Sequence, residues 1–516
     1  MLTIIKPQDL TSLSFYFFIP ILLFLPVVSS LAQQQYLPLN RDAGMHLEKP
    51  LNHLDKQFHT SFKPYLQVWV NKSVNNDSLD NQRLDKKIKR SLLYRKLKEE
   101  NLIIIDADDF YLTIDPLFNF EYGKDLADTS LWADTTHFYK NTRGIIFRGN
   151  IGKKVSFMSS FYENQAFFPA YIDDFTREYG VVPGQGRTKS FKTTGFDYAM
   201  ASGYVSYSPS SGDIGMNFQL GHDKNFIGDG YRSLLLSDNS FNYPFFKITV
   251  NFWKIQFINL VTSLQNLNVR LPTTPTSEDR FQRKPGSFHF LSWNAHKRLQ
   301  IGLFEGIIWQ AADSLKNNGL FGVNLKFKIS DNFSFYSQAV LDDVKSDKFG
   351  YQLGLKSFDL FTIKNLFFQI EFNQVQPYTY AHQTPPQSYT HYNQALAHPL
   401  GANFTELVSF ADYSWRDFFV RLKFNYAIYE EDSGYYHWGK DIFRSGEEVI
   451  TSTETPEKTN LAYQEFKLGY IINPKTNMNV VLGFINRTEK NSYWNKQTQF
   501  VYIGFRTSLA NVYYDF

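Results

Sequence analysis

The feature that most constrains this chain is an alternation of apolar and polar side chains, with lysine and arginine on the polar face. In "FFVRLKFNYAIY", residues 418–429, Arg421 and Lys423 interleave with large apolar residues at every second position. A period of two predicts a β-strand with one apolar face. Cations need partners in the dry core of a β-sandwich, whereas the lumen of a wide barrel holds water. The alternation therefore favours a barrel whose apolar face contacts lipid.

The same alternation recurs from about residue 102 onward. "LFGVNLKFKI", residues 320–329, repeats it with Lys326 and Lys328 on the polar face, and a Ser-Asp-Asn turn follows. Such segments predict about 16–18 strands of about ten residues, the length that a tilted membrane strand needs. Because lipid offers no hydrogen bonds to an open edge, we predict an all-β fold, a large antiparallel transmembrane β-barrel. The expected extracellular loops are residues 164–194, 272–286, 376–403 and 432–460.

Composition agrees with a barrel and excludes several classes of protein. Aromatic residues make up 17% of the chain, although its mean hydropathy is only −0.34. In a membrane barrel, apolar residues face lipid and polar residues face the lumen, so the mean hydropathy of the whole chain stays low. The alternative is an aromatic-rich β-sandwich or propeller. The net charge of +3 gives no argument for nucleic acid as a partner. The absence of cysteine excludes disulfides, thiolate catalysis and cysteine zinc sites.

The N-terminus has the layout of a secretory signal. Lys6 precedes an apolar run over residues 13–28, and Ser30-Leu31-Ala32 follows. We predict a cleaved signal peptide at residues 1–32. Gln33 follows the expected cleavage site, so no cysteine is present there for a lipid anchor. The chain is expected to be exported and to form aromatic-rich strands. These two features together predict a location in the outer membrane of a Gram-negative cell, with outer-membrane lipid as a partner.

Residues 33–101 are expected to form a periplasmic segment before the barrel of residues 102–516. Residues 33–77 look irregular, and residues 78–103 carry apolar side chains at helical spacing. We predict one amphipathic helix there, beginning at Asp77 or Ser78 and docked on its own domain; binding to a membrane surface is the alternative.

The C-terminus continues the period of two. Phe516, Tyr514, Val512 and Ala510 alternate with polar residues. We predict that the last strand runs to Phe516 and closes the barrel, with the terminal ring at the lipid interface. This ending resembles the signal by which outer-membrane proteins reach the barrel-assembly machinery, which is therefore an expected partner.

Two dense polar stretches hold the candidate site residues. In residues 217–240 a turn at Gly228-Asp229-Gly230 is surrounded by polar groups that suit either sugar hydroxyls or a buried polar network, and the network is favoured. Residues 387–407 add histidines too irregularly spaced for a metal signature, and hydrogen bonding within the loop is favoured. The candidates are Asp223, Lys224, Asn225, Asp229, Tyr231, Arg232, Asp238, Asn239, His391, Asn393, His398 and Asn403. We expect no metal and no cofactor.

These stretches also carry a family resemblance. "HDKNFIGDGYRSLLLSDNS" and "HYNQALAHPLGANF" resemble the Wzi capsule-assembly family, in the Bacteroidota branch that includes the gliding-motility protein RemB. The resemblance implies an outer-membrane barrel with a small periplasmic helical element. It also implies attachment or assembly of surface polysaccharide, or a surface role in gliding, with polysaccharide or gliding components as partners.

Signatures of catalysis are weak. The carboxylates Asp108-Asp109 and Glu430-Glu431-Asp432 could serve glycoside hydrolysis, but they are expected to be solvated charges at the rim. We therefore predict a non-enzymatic barrel that binds or organises polysaccharide. The first alternative is a transport channel in which inward-facing lysine and arginine favour anions. The second is a barrel hydrolase.

Overall fold

The computed structural model describes residues 35–74, 91–130, 133, 137–209, 214–270, 281–309, 317–342, 347–432, 436–445, 455–507 and 509–516. The predicted signal peptide and the predicted start of the amphipathic helix lie outside these residues. The strands are β1 (Phe62–Lys63), β2 (Ile103–Ala107), β3 (Phe110–Asp125), β4 (Phe138–Ile151), β5 (Val155–Ala166), β6 (Lys189–Phe191), β7 (Gly195–Tyr207), β8 (Ile214–Asp223), β9 (Phe226–Ile227), β10 (Tyr243–Phe252), β11 (Ile255–Arg270), β12 (Phe281–Trp293), β13 (Leu299–Ile308), β14 (Asn318–Lys328), β15 (Phe333–Asp342), β16 (Phe349–Phe358), β17 (Leu366–Val375), β18 (Thr390–His391), β19 (Gln394–Ala395), β20 (Phe404–Trp415), β21 (Phe418–Glu431), β22 (Glu457–Asn473), β23 (Met478–Lys490) and β24 (Asn495–Arg506).

Eighteen of these strands close an antiparallel barrel. Successive long strands pair in chain order, and β24 pairs with β3, where Arg506 lies opposite Asn119. The short strands β2 and β6 pair with β3 and β7. The two-residue ribbons β1–β9 and β18–β19 form separate small sheets. The predicted fold class is confirmed, at the upper end of the expected strand number.

The alternation of side chains has the predicted orientation. On β14, Phe321 is 43% exposed, whereas Lys326 is 5% exposed. On β21, Leu422 is 52% exposed and Arg421 is 8% exposed. Apolar side chains thus cover the outside, where lipid replaces water, and cations point into the lumen.

The two ends of the barrel differ in the length of their connections. At one end the turns are short, such as residues 253–254 and 416–417; at the other end lie residues 167–194, 224–242, 376–403 and 432–456. Short turns are periplasmic and long loops extracellular in such barrels, and we name the two ends accordingly. Strands β12 and β22 begin at Phe281 and Glu457, inside two predicted loops, because polar segments also pair in the sheet above the membrane.

Four α-helices accompany the strands in the described residues. They are α1 (Arg41–Asn52), α2 (Gln67–Ser73), α3 (Leu92–Lys98) and α4 (Ala170–Tyr179), with 3₁₀ turns at Leu360–Thr362 and Pro385–Gln387. Among these described helices, none is long and apolar enough to cross a membrane. The prediction that residues 33–77 are irregular was wrong. The Asn40 side chain accepts a hydrogen bond from the Ala43 N–H at 2.9 Å and caps α1, but Pro50 hides the helical pattern.

The described part of the predicted amphipathic helix, α3, docks differently from the expectation. Ser91 caps it, and Lys98 donates to the Tyr470 hydroxyl at 2.9 Å. Asn473 donates to the Glu100 carbonyl at 2.9 Å. Leu92 and Leu93 are 67% and 71% exposed. Polar contacts with the end of β22 therefore hold α3, and these two leucines do not bury an apolar face.

The C-terminal tail, residues 507–516, does not form the predicted closing strand. Strand β24 ends at Arg506, and residues 509–516 lie in the lumen, where Asp515 contacts Arg232 and Lys423. The Phe516 ring lies 5.0 Å from Phe175 and 6.1 Å from Tyr171, measured between ring centroids. The prediction of a terminal ring at the lipid interface was wrong. The physical reason is Asp515, fully buried, whose carboxylate finds cationic partners in the lumen and would find none in lipid.

Candidate functional site

Four chain segments meet inside the barrel. They are the N-terminal segment (residues 35–74), the inner loop (residues 224–242), the second loop (residues 376–403) and the C-terminal tail. Strand β1 of the N-terminal segment pairs with β9 of the inner loop. The Tyr380 and Tyr389 hydroxyls donate to the Leu234 and Leu235 carbonyls at 2.8 and 2.7 Å. The inner loop is thus fixed from both ends of the barrel.

Glycines allow the inner loop to approach the wall closely. Gly228 has φ +147°, and a Cβ there would lie 2.6 Å from the Gln338 amide nitrogen. A Cβ on Gly230 would overlap the Glu371 carboxylate. The predicted turn at Gly228-Asp229-Gly230 is confirmed, and it presses backbone against inward-facing polar side chains.

Arg232 is the centre of a buried ionic cluster. Its guanidinium donates to Glu406 at 2.8 Å and to Asp515 at 3.0 Å, and all three side chains are at most 1% exposed. Glu371 accepts hydrogen bonds from the Tyr231 and Arg232 N–H groups at 2.7 and 3.0 Å. The inner loop, the barrel wall and the C-terminal tail therefore share one set of charges.

The tail carboxylate is held in its charged form. Burial alone would raise the pKa of Asp515, but the charges of Arg232 and Lys423 outweigh burial and lower that pKa below its ordinary value. Lys423 lies 2.7 Å from Asp515, and the Tyr231 hydroxyl donates to the same carboxylate at 3.1 Å. His398 contacts Glu406 at 2.7 Å between Nε2 and Oε2.

A second cluster surrounds Asp229. Its carboxylate accepts hydrogen bonds from the Thr60 hydroxyl and, at 2.8 Å, from the Ser61 hydroxyl, and Lys326 lies 3.4 Å away. Burial opposes ionisation of Asp229, but Lys326 and Lys63 outweigh it and hold the pKa of this carboxyl below its usual range. This cluster joins the N-terminal segment to the inner loop and to β14.

A third cluster joins the inner loop to the tail. Lys224 donates to the Gly184 and Asp238 carbonyls at 2.6 and 2.9 Å, and burial lowers its pKa to about 8. The Asp238 carboxylate accepts hydrogen bonds from the Asn511 amide at 2.8 Å and the Tyr513 hydroxyl at 2.6 Å.

The remaining candidates make local hydrogen bonds. His391 accepts from the Gln265 N–H at 3.0 Å, and burial lowers its pKa to about 3. Asp223 accepts from the Lys224 N–H at 2.9 Å. The other amides have separate partners: Lys247 donates to Asn225 at 3.1 Å, Asn239 to the Ala395 carbonyl at 3.1 Å, Asn393 to the Tyr179 carbonyl at 3.0 Å and Asn403 to the Trp438 carbonyl at 2.7 Å. The structure thus distributes the twelve candidates through a lumenal network instead of gathering them at one surface.

The inward cations are partnered, contrary to the expectation that lumenal water would suffice. Lys328 donates to three carbonyls of the N-terminal segment, including that of Leu51 at 3.0 Å. Arg421 contacts Asp412 and Asp42. The lumen has become a packed polar interior, where a charge needs a partner.

Sequence reasoning missed Glu371, Glu406 and Asp515. The signal for Glu371 was present, because it occupies a polar position between Gln369 and Asn373 in the alternating segment "FFQIEFNQV". An inward carboxylate that is buried needs hydrogen-bond donors, and Glu371 finds them in the Tyr231 and Arg232 N–H groups. Asp515 was missed because its segment was assigned to the barrel wall. In the residues that the structure describes, no cluster of His, Asp or Glu side chains suits a metal ion.

A cavity of about 300 Å³ remains in the lumen, between α1, the wall and the C-terminal tail. Lysine, arginine and aromatic side chains line much of it. The fold and this interior define a class: a β-barrel of the outer-membrane type whose lumen is filled by its own chain.

Comparisons with known proteins agree with that class. No family model and no curated protein sequence matches the chain. Among solved structures, the chain is similar to Escherichia coli Wzi, described as an outer-membrane protein involved in group 1 capsule assembly and a carbohydrate-binding β-barrel. The identity is 12% and the TM-score 0.57, over 93% of this chain and 100% of Wzi. At this identity the similarity shows a shared fold.

Two further structures match over a smaller share of the chain. Acinetobacter baumannii OccAB2 is 12% identical with a TM-score of 0.44, over 77% of this chain and 98% of that protein. Pseudomonas aeruginosa OprD is 9% identical with a TM-score of 0.43, over 77% and 96%. The resemblance to the Bacteroidota branch stays a prediction.

Proposed function

We propose that this protein is a non-enzymatic outer-membrane barrel that holds or helps to assemble polysaccharide at the cell surface. The observation that carries the proposal is the filled lumen. Inner-loop and tail residues contact inward side chains of β14 through Lys326, β17 through Glu371, β20 through Glu406 and β21 through Lys423. Because the lumen is filled, solutes are not expected to diffuse freely through it. This favours a function at the ends of the barrel, where ligands can bind.

The fold similarity to Wzi, which is described as a carbohydrate-binding β-barrel, supports the choice of polysaccharide. The two motifs that resemble the Wzi family lie in the inner and second loops, which build the extracellular half of the filling. In this proposal these motifs are structural. Their buried side chains shape the loops, and the glycan contacts lie further out.

An exposed ring at the extracellular end is a suitable glycan contact. Tyr493, in the turn between β23 and β24, is 83% exposed, and a flat ring can stack on the C–H face of a sugar. Phe361, in the periplasmic turn between β16 and β17, is 80% exposed. It provides a matched control at the opposite end.

The test is deletion of the gene followed by measurement of cell-associated polysaccharide. The deletion is expected to release polysaccharide into the medium, and the intact protein is expected to restore retention. Tyr493→Ala is expected to restore it only in part and Phe361→Ala fully. Unchanged retention after deletion would contradict the proposed function.

A second candidate function is a surface component of gliding, favoured by the motif resemblance to the RemB-containing branch. The same deletion strain tests it through colony spreading on a surface. Loss of spreading with normal polysaccharide retention would favour gliding over polysaccharide attachment. The barrel-assembly machinery remains a proposed partner, and a cleaved signal peptide remains the proposed route of export.

A further inference from the structure

The lumenal cavity has an unusual lining. Nine lysine and arginine side chains and four carboxylates border it. Three further carboxylates, Asp229, Asp412 and Asp515, pair with cations of the lining. The cavity therefore keeps an excess of positive charge within a protein interior, where unbalanced charge is costly. Such an excess favours a ligand that carries negative charge.

Three adjacent strands present a set of polar groups to this cavity. Arg506 on β24 lies directly opposite Asn119 on β3, and Glu121, two residues further along β3, lies opposite Lys140 on β4. All four side chains line the cavity. Two cations and two acceptors thus lie together on one patch of the wall, and Asp42 of α1 pairs with Arg506 at 3.4 Å.

Asn119 supplies an independent sign of a ligand. Its side chain is 6% exposed, and its Oδ1 atom has no hydrogen-bond partner among the described residues. A buried acceptor without a donor is energetically unfavourable. A hydroxyl group of a ligand in the cavity would satisfy it.

Aromatic rings complete the patch. Lys140 Nζ lies 3.4 Å from the Tyr514 hydroxyl and 5.4 Å from the centre of its ring. Tyr502 also lines the cavity and is 5% exposed. Cations, acceptors and flat rings together match a ligand with a carboxylate, hydroxyl groups and an apolar C–H face. Acidic sugars have all three.

The lining of the cavity extends toward the periplasmic end. It includes Asn477, in the periplasmic turn between β22 and β23, and Pro38, in the N-terminal segment. Pro38 is exposed. A volume of about 300 Å³ is at the small end of ordinary ligand sites, enough for a small sugar.

We propose that this cavity binds an acidic sugar from the periplasmic side, with its carboxylate between Arg506 and Lys140. Asn119 and Glu121 accept hydrogen bonds from its hydroxyls, and Tyr514 packs on its ring. The site is separate from the extracellular surface of the proposed function and does not depend on it.

The experiment measures binding of sodium glucuronate to the purified full-length protein in detergent by calorimetry. Glucose and sodium acetate, which carry the hydroxyls and the carboxylate separately, are the comparison ligands. Glucuronate is expected to bind at least tenfold more tightly than either. Lys140→Gln is expected to weaken glucuronate binding at least tenfold, and Lys140→Arg to retain it.

The control variant is Lys364→Gln, at an exposed position in a periplasmic turn, which is expected to bind normally. Heat-modifiable migration in gels verifies that each variant is folded. Absence of glucuronate binding, equal binding of acetate or glucose, or unchanged binding by Lys140→Gln would each overturn the proposal. None of these results bears on polysaccharide retention by cells.

Discussion

Single residues explain how a lumen lined with charge is stable. Arg232 is buried, and two carboxylates lie within 3.0 Å of its guanidinium. Its neighbours come from a loop, a strand and the chain terminus, so one guanidinium couples three parts of the fold. A buried charge stabilises the fold only when all its partners are present. Removal of one partner leaves the remaining charges buried and uncompensated.

Replacement of Arg232 tests this coupling. Arg232→Met leaves Glu406 and Asp515 buried without their main cation, and we expect the free energy of unfolding to fall by about 3–5 kcal/mol. Arg298→Met, in an exposed periplasmic turn, is expected to change it by less than about 0.5 kcal/mol. Urea unfolding in detergent, followed by tryptophan fluorescence, measures both. Equal stabilities would mean that the cluster adds nothing to folding.

His391 predicts a pH dependence of stability. Burial holds its pKa at about 3, against about 6.5 in an unfolded chain. The unfolded state therefore takes up a proton first as pH falls below about 6.5. The free energy of unfolding is then expected to fall by about 1.4 kcal/mol per pH unit from this group.

The check compares unfolding midpoints at pH 7 and pH 5. His391→Gln is expected to reduce the difference between the two midpoints, whereas His296→Gln, at an exposed turn, is expected to leave it unchanged. The same pH difference in His391→Gln as in the intact protein would assign the effect to other groups.

At the scale of elements, the alternation of apolar and polar residues predicted the strands well. Every second side chain of a membrane strand contacts lipid, so each of these positions must be apolar. The alternation predicted the inward orientation of Lys326 and Arg421 for the same reason. It failed for the C-terminal tail, because period two states that one face is apolar but not whether that face meets lipid or packed protein. Residues 41–52 were missed because α1 buries only Leu47, Leu51 and Asn52, too few for a clear helical pattern.

The tail can be removed without removing a barrel strand. Pairing of β24 with β3 ends at Arg506, so a chain lacking residues 508–516 is expected to reach the outer membrane. Its unfolding temperature is expected to drop, because Arg232 and Lys423 lose Asp515. Membrane fractionation and heat-modifiable migration measure both.

A chain that also lacks β24 is the control and is expected to fail in assembly. Failure of the shorter truncation to assemble would show that the tail itself is needed for insertion. That result would contradict the expectation that the strands alone suffice for assembly.

At the scale of the whole molecule, the sequence predicted the barrel wall but little of the packing inside the lumen. The barrel follows from a local pattern, and the polar stretches around Asp229 and His398 were recognised as networks. Their partners could not be predicted, because Thr60, Glu406 and Asp515 are far apart in sequence and meet only when four segments enter one lumen. The sequence also left the channel alternative open, because inward cations fit an open anion pore as well as a filled lumen.

Conductance in planar lipid bilayers tests the filled lumen most directly. The intact purified protein is expected to insert without stable open-channel current steps, with a general porin in the same bilayer as the positive control. Steady current steps of porin size from the intact protein would show that the inner loop and the tail leave an open path, and would contradict the account.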